Sequence, residues 1–177
     1  FISVALKKGV DLVFTDNKAK ANDKNIFYIE NLKDLLADIA ENFYQNIPKN
    51  LIAVTGTNGK SSICEIVRQL LILLKIDIAS IGTLGCFKNN HLYQKLTHTT
   101  PDIFSFYELL NDLDCDNVIF EASSHALWLG RLGNLKANIA LFHNLTQDHL
   151  DFHKNMQDYF AAKSLFFKDH LKDDGAI

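Results

Sequence analysis

The sequence predicts an α/β fold in which a mostly parallel sheet carries helices on both faces. From residue 51 onward, short apolar runs alternate with longer segments whose apolar residues recur at helical spacing. Strands alternating with helices indicate parallel strands joined by crossover helices. Polar clusters directly follow several of the apolar runs. Because α/β proteins bind ligands at the carboxyl ends of parallel strands, these clusters are the candidate functional residues.

The composition is typical of a globular protein and argues against several functions. Hydrophobic residues make up 47% of the 177 residues, charged residues 22%, and the formal net charge is −3. This charge gives no electrostatic reason to expect nucleic acid or an anionic membrane as a partner. No apolar stretch is long enough to span a bilayer. The three cysteines form no CxxC pair, so we expect neither a zinc knuckle nor a disulfide framework, and we expect a cytoplasmic protein.

The first 47 residues predict a small α/β unit. Strands are expected at residues 10–14 and 26–29, and Asn31 is expected to cap a helix that runs to about residue 45. Pro48 then breaks the pattern, so we place a domain boundary between residues 47 and 48. We interpret both ends of the chain as cut, because it opens inside an apolar stretch without an initiator Met and stops where a strand begins, at residues 175–177.

The remaining residues, 48–177, predict the alternating α/β domain. Strands are expected at residues 51–55, 77–81, 117–121 and 137–142, helices at 60–74, 103–113 and 156–168, and a hairpin around residues 88–90.

The segment 55–62, Thr-Gly-Thr-Asn-Gly-Lys-Ser-Ser, carries the strongest functional signal. Its glycines permit a tight turn whose N–H groups can point at phosphate oxygens, at the start of a helix. Lys60 can neutralise phosphate charge, and Ser61 can offer a hydroxyl to Mg²⁺. The strict pattern places its first glycine at position 54, where this chain has Val54, so the loop is a variant. An ordinary glycine turn is the alternative, but the strand–loop–helix context favours nucleotide binding.

Four other polar residues are ambiguous by themselves. Glu121 ends an apolar strand, where a carboxylate can hold Mg²⁺ or can be exposed and cap the next segment. His149 and His153 have the i, i+4 spacing of zinc ligands, but a metalloprotease would need a Glu beside the first, and a polar loop with surface histidines is the simpler interpretation. Lys163 lies in an apolar helical segment, where its amine either snorkels to the surface or serves as a charge or a modification site.

Taken together, five segments resemble the Mur ligase family in order and spacing. They are residues 55–61, 98–101, 121–127 with Arg131, 144–153 and 159–163. The Thr99-Thr100-Pro101 and Glu121-Ala-Ser-Ser-His segments most resemble the members that add the third amino acid to the peptidoglycan precursor. Residues 1–47 resemble, more loosely, the C-terminal part of the family's UDP-binding N-terminal domain, and residues 48–177 its ATP-binding, P-loop ATPase-like central domain.

The resemblance implies an ATP-dependent carbon–nitrogen ligase. ATP would phosphorylate the carboxylate of UDP-N-acetylmuramoyl-L-Ala-D-Glu, and the incoming amino acid, with meso-diaminopimelate favoured over L-lysine, would displace phosphate from the acyl phosphate. The catalytic residues implied are Lys60, Glu121, His149 and Lys163. The resemblance also implies that CO2 carbamylates Lys163, which turns a cation into a carboxylate-like ligand.

The remaining roles that the resemblance implies fall into three groups. The ATP-binding residues are Gly56, Thr57, Asn58, Gly59, Lys60, Ser61, Ser62 and Asn144. The ligands of two Mg²⁺ ions are Ser61, Glu121, His149 and Lys163. The contacts to the muramoyl-dipeptide are Thr99, Thr100, Ser123 and Arg131. One position departs from the pattern, because Leu129 stands where a polar Gln contact is common.

The expected partners are small molecules only: the UDP-linked dipeptide, ATP and an amino acid, bound by a monomer. We expect the family's C-terminal domain, which completes the ATP site and selects the amino acid, to lie outside this sequence, so that the chain alone is inactive. Alternatives are a sister Mur or folylpolyglutamate-type ligase, a nucleotide-binding switch without ligation, and a structural domain. The Thr-Thr-Pro and Ser-Ser-His segments discriminate against the first, and the lack of an NKxD motif argues against a GTPase.

Overall fold

The computed structural model describes residues 2–18 and 24–177. Near the start, helix α1 (Ile2–Lys7) precedes a two-stranded parallel sheet of β1 (Val13–Thr15) and β2 (Ile26–Tyr28). Strand β2 lies within the predicted residues 26–29, whereas β1 starts later than predicted and overlaps the expected residues 10–14 only at positions 13 and 14. Helix α1 was not predicted, because its apolar residues are too few to show a helical period. Phe1, the first residue of the opening apolar stretch, lies outside the described residues.

Helix α2 (Leu32–Phe43) follows, as predicted, but its start is built differently from the prediction. Asn31 occupies the cap position, yet its side chain makes no capping hydrogen bond. The helix buries Ala37 and Ala40 in the same core as the helices beside the main sheet. The chain therefore packs continuously across residues 47 and 48, and the domain boundary there stays a prediction.

The main sheet has seven strands within the described residues, in the spatial order β6-β5-β4-β7-β3-β8-β9. The strands are β3 (Asn50–Thr55), β4 (Ala79–Gly82), β5 (Gly85–Lys88), β6 (His91–Gln94), β7 (Asn117–Glu121), β8 (Ala137–Phe142) and β9 (Leu171–Ala176). Five of them run parallel to their neighbours, and the hairpin β5–β6 extends the sheet, with β5 antiparallel to β4 and β6 antiparallel to β5. The predicted mostly parallel sheet is thus confirmed. Strand β9 begins earlier than the expected residues 175–177.

Helices cover both faces of this sheet, as predicted. They are α3 (Lys60–Leu73), α4 (Ile103–Asp112), α5 (Ser124–Trp128), α6 (Leu150–His153) and α7 (Met156–Asp169). Along β3, successive side chains alternate between the two faces. Val54 packs with Cys64 of α3, whereas Leu51 and Ala53 belong to the larger core that includes α4. This alternation gives two apolar layers with β3 at the centre.

The strand order brings four carboxyl ends to one edge of the sheet. Parallel pairing aligns the ends of β3, β4, β7 and β8, so the residues that follow them meet there. Side-chain caps start the local helices: Ser123 accepts from the Ala126 N–H, and Asn155 accepts from the Asp158 N–H. Among residues 2–18 and 24–177, no helix combines the length and apolar character needed to cross a membrane.

Candidate active site

A cavity of about 500 Å³ opens at this edge of the sheet. It is lined by the residues Thr57, Asn58, Gly59, Lys60, Ser61, Thr83, Thr97, His98, Thr99, Thr100, Glu121, Ser123, His125, Arg131 and His149. These residues come from the segments that follow five strands (β3, β4, β6, β7 and β8), from the last residue of β7 and from the starts of α3 and α5. Polar groups of several chemical types therefore converge on one concave surface, which is the usual form of a ligand site.

The phosphate loop, residues 56–62, runs from the end of β3 into the first turn of α3. Gly59 has a φ of +83°, and a Cβ there would lie 2.9 Å from Cδ2 of His143, so only glycine fits. Asn144 holds the loop from the end of β8: its Oδ1 accepts the N–H groups of Thr57 and Asn58, each at 3.0 Å. The Asn144 Nδ2 donates in turn to the Asn58 carbonyl at 3.1 Å. Asn144 thus fixes the path of the loop.

Two lysines donate to one carbonyl of this loop. Nζ of Lys60 lies 2.9 Å from the Gly56 carbonyl oxygen, and Nζ of Lys163 lies 2.8 Å from the same atom. Lys163 is 1% exposed and lies behind the loop, not along the cavity. Burial, reinforced by the charge of Lys60, lowers the pKa of Lys163 to about 7. Burial also lowers the pKa of Lys60, although the carboxylates of Glu121 and Asp148 oppose this.

Glu121 is held at the end of β7 by several hydrogen bonds. Its Oε1 accepts from the Ser61 hydroxyl and from the Thr83 N–H, each at 2.8 Å, and its Oε2 accepts from the Thr83 hydroxyl at 3.3 Å. The residue is 2% exposed, so it is not a solvent-exposed strand-end carboxylate. The carboxylate is fixed beside the loop and faces the cavity.

The opposite wall of the cavity is formed by residues 97–100. The Thr100 hydroxyl donates to the Glu121 carbonyl at 2.7 Å and accepts from the Ser123 N–H at 3.2 Å. Nη1 of Arg131 donates to the Thr100 carbonyl at 2.9 Å. Thr99, Thr100, Ser123 and Arg131 therefore lie together, as four polar side chains on one wall.

Three histidines form an aromatic cluster beside this wall. The ring centroid of His125 lies 4.8 Å from that of His149 and 5.4 Å from that of His153. His153 is buried and pairs through Nε2 with the Ser124 hydroxyl at 2.9 Å, whereas His149 is exposed. Burial, followed by the charges of the neighbouring histidines, holds the pKa of His153 below its ordinary value. Of the two histidines at i, i+4 spacing, His153 therefore packs in the interior and His149 lines the cavity.

The sequence-predicted residues are largely brought together. The predicted residues outside the cavity lining are Gly56, Ser62, Asn144 and Lys163; Gly56 and Ser62 belong to the phosphate loop, and Asn144 and Lys163 hydrogen-bond to it. Leu129 is 41% exposed and is also outside the lining. Across residues 2–18 and 24–177, no three His, Cys, Asp or Glu side chains converge as a ready-made metal site.

Some residues of the site were missed by the sequence reasoning. Thr83 contacts Glu121, and Tyr159 of α7 donates from its hydroxyl to Thr57 Oγ1 at 3.1 Å. Thr83 directly follows β4, and its place at a strand's carboxyl end could have singled it out. Tyr159 offered no such signal, because it lies inside an apolar helical segment.

The glycine loop after the central strand, with its lysine and the helix start behind it, defines a phosphate-loop domain of the α/β class. Residues 54–177 match the family of the Mur ligase middle domain. The chain therefore belongs to the Mur ligase family, and these residues form its middle domain.

Individual relatives agree with this assignment. A Rickettsia bellii protein named UDP-N-acetylmuramoyl-L-alanyl-D-glutamate–2,6-diaminopimelate ligase is 44% identical over 181 residues, which is 99% of this chain and 38% of that protein. The chain thus spans well under half the length of the relatives it matches. A solved structure of a ligase with the same name superposes with a TM-score of 0.78 at 28% identity, covering 94% of this chain and 34% of the other. The MurF ligase of Thermotoga maritima, at a TM-score of 0.55 and 22% identity, covers 99% of this chain and 38% of its own and shares the fold.

Proposed function

We propose that this chain is the nucleotide-binding part of a ligase that joins diaminopimelate to UDP-N-acetylmuramoyl-L-Ala-D-Glu at the expense of ATP. The observation that carries the proposal is the cavity, in which the phosphate loop faces the wall of Thr99, Thr100, Ser123 and Arg131. The identity of 44% to a ligase of that name supports the choice of substrates.

The loop side of the cavity suits ATP. Lys60 and the start of α3 supply positive charge for the phosphates, and Asn144 fixes the path of the loop. The implied contacts are those of Gly56, Thr57, Asn58, Gly59, Ser61 and Ser62. The opposite wall suits an anionic substrate, because a guanidinium binds a carboxylate through paired hydrogen bonds. In this arrangement the terminal phosphate of ATP would meet the substrate carboxylate between the two walls, which gives an acyl phosphate that the amine then attacks.

The side chains beside the loop fit Mg²⁺. The Ser61 hydroxyl and the Glu121 carboxylate are hard oxygen donors only 2.8 Å apart, and His149 lines the same cavity. We assign these residues to two Mg²⁺ ions, which would neutralise the crowded phosphate and carboxylate oxygens during phosphoryl transfer.

Lys163 fits the expected modification by CO2. A pKa of about 7 leaves a substantial fraction of the amine uncharged near neutral pH, and only the uncharged amine can form a bond to CO2 with release of a proton. The carbamate nitrogen keeps one N–H, so the hydrogen bond to the Gly56 carbonyl can persist. The modified residue would add a carboxylate-like group behind the loop.

The remaining assignments follow from this reaction. Its partners are ATP, the UDP-linked dipeptide and the amino acid, and we assign the reaction to a monomer in the cytoplasm, without nucleic acid or membrane as a partner. We expect the 177-residue chain by itself to show no turnover.

The test uses the protein at its natural full length. Phosphate release from ATP is followed with UDP-N-acetylmuramoyl-L-Ala-D-Glu present, and meso-diaminopimelate or L-lysine is added in separate reactions. Release that requires the dipeptide and diaminopimelate is the expected result. Release only when L-lysine is added would change the assigned amino acid. No release with either amino acid would refute this assignment in favour of a sister ligase or a nucleotide switch.

A further inference from the structure

Thr83 is the residue outside the phosphate loop that contacts the Glu121 carboxylate from the neighbouring strand end. It lies directly after β4, and it uses two groups: its main-chain N–H reaches Oε1 at 2.8 Å, and its hydroxyl reaches Oε2 at 3.3 Å. Both carboxylate oxygens are therefore held by one residue, which fixes the rotation of the carboxylate as well as its position.

The preceding residue is shaped to the same carboxylate. A Cβ at Gly82 would lie 2.8 Å from Cδ of Glu121, closer than real Cβ atoms approach other groups. Only glycine therefore leaves room for Glu121 in this orientation. Gly82 thus leaves the space that the carboxylate needs, and Thr83 holds the carboxylate by hydrogen bonds. These are two independent observations.

The Thr83 hydroxyl also touches the opposite wall of the cavity, where it lies 3.0 Å from the hydroxyl of Thr99. A carboxylate oxygen can only accept, and the Thr83 hydroxyl carries one hydrogen. When Thr83 donates to Glu121, Thr99 must donate to Thr83. The Thr99 oxygen then has only lone pairs left for a ligand in the cavity.

We propose that Thr83 is a positioning residue that orients Glu121 for Mg²⁺ and links that carboxylate to Thr99 on the substrate wall. The inference rests on the proposed function, because it concerns how the same site binds Mg²⁺-nucleotide. Thr83 acts through Glu121 and needs no contact of its own with the ion or with substrate.

The test measures binding of ADP to the full-length protein by calorimetry, with and without Mg²⁺. Thr83→Val removes the hydroxyl at nearly constant volume, and we expect Mg²⁺-dependent ADP binding to weaken about 3- to 10-fold, which corresponds to the net contribution of one ordinary hydrogen bond. Binding of ADP without Mg²⁺ should not change. Thr83→Ser, which restores the hydroxyl, should recover affinity, and Leu84→Ala, at a neighbouring residue that is 61% exposed, should match wild type.

A double variant tests whether Thr83 acts through Glu121. In a Glu121→Gln background, adding Thr83→Val should cause no further loss of Mg²⁺-dependent binding. Equal weakening with and without Mg²⁺, or additive losses in the double variant, would overturn the inference. If wild type itself binds ADP without any Mg²⁺ dependence, the proposed function fails first, which separates the two failures.

Discussion

The rear of the phosphate loop and the front of the cavity are built from similar hydrogen bonds but differ in their exposure to water. At the rear, Tyr159 and Lys163 of α7 reach the phosphate loop and are 0% and 1% exposed. At the front, Thr83 is exposed and Thr99 is only partly buried. Water cannot replace a partner lost at the rear, whereas it can at the front. The rear is therefore suited to holding the loop in shape, and the front to exchanging its hydrogen bonds with a ligand.

The largest expected effect concerns Lys163 and the pH dependence of stability. Burial lowers its pKa from 10.5 to about 7, so between these pH values the unfolded chain binds more protons than the folded one. Stability contributed by this residue therefore rises with pH in that window and is lost as pH falls toward 7. Relative to Lys163→Met, wild type should gain about 3 kcal/mol in unfolding free energy between pH 7 and pH 10.

Urea denaturation in CO2-free buffer at both pH values measures this difference. The exposed Lys168 of the same helix gives the control, since Lys168→Met should show no such pH dependence. If the unfolding free energies of wild type and Lys163→Met changed equally with pH, water would reach the rear of the phosphate loop more than its burial indicates.

An intermediate effect is expected for the hydroxyl of Tyr159. Tyr159→Phe should lower the unfolding free energy by about 1 kcal/mol, because a buried donor to Thr57 is lost while the ring packing is kept. Tyr93→Phe removes an exposed hydroxyl that donates to the Asp112 carbonyl and should change it by less than about 0.5 kcal/mol. Equal losses, measured by chemical denaturation, would remove the distinction between the buried and exposed contacts.

The smallest effect on stability is expected at the front wall. Arg131→Gln should change the unfolding free energy by less than about 0.5 kcal/mol, because the arginine is partly exposed. Its effect should fall instead on the KM of the UDP-linked dipeptide, which we expect to rise about 10-fold or more in the ligase assay. Lys136→Ala removes a positive charge outside the cavity lining, directly before the amino end of β8, and should leave that KM unchanged. A large stability loss with an unchanged KM would make Arg131 a structural residue.

The sequence predicted the local features of this molecule well. The central strands, the helix after the phosphate loop and the hairpin lie close to their predicted positions, because apolar periodicity and turn residues act over a few neighbouring positions. Asn31 was correctly placed at the cap position of α2, but its side chain makes no capping hydrogen bond, since a residue type suited to a cap does not ensure that its side chain turns toward the helix.

The site residues divide in the same way. Lys60, Ser61 and Glu121 could be predicted because each stands in or directly after a strand-end motif. Lys163 left two outcomes open, and the structure placed its amine behind the loop instead of at the surface. Its environment depends on how α7 packs, which no local pattern states.

The sequence by itself therefore determined the α/β class, the phosphate loop and membership in the Mur ligase family. Only the tertiary structure decided that Tyr159 hydrogen-bonds to Thr57, 102 positions away in the sequence, and that Thr83 hydrogen-bonds to Glu121, 38 positions away. The physical reason is that the order of strands in the sheet decides which residues meet, and this order arises from packing the whole chain into one core. The periodicity of the sequence shows only which face of each element is apolar.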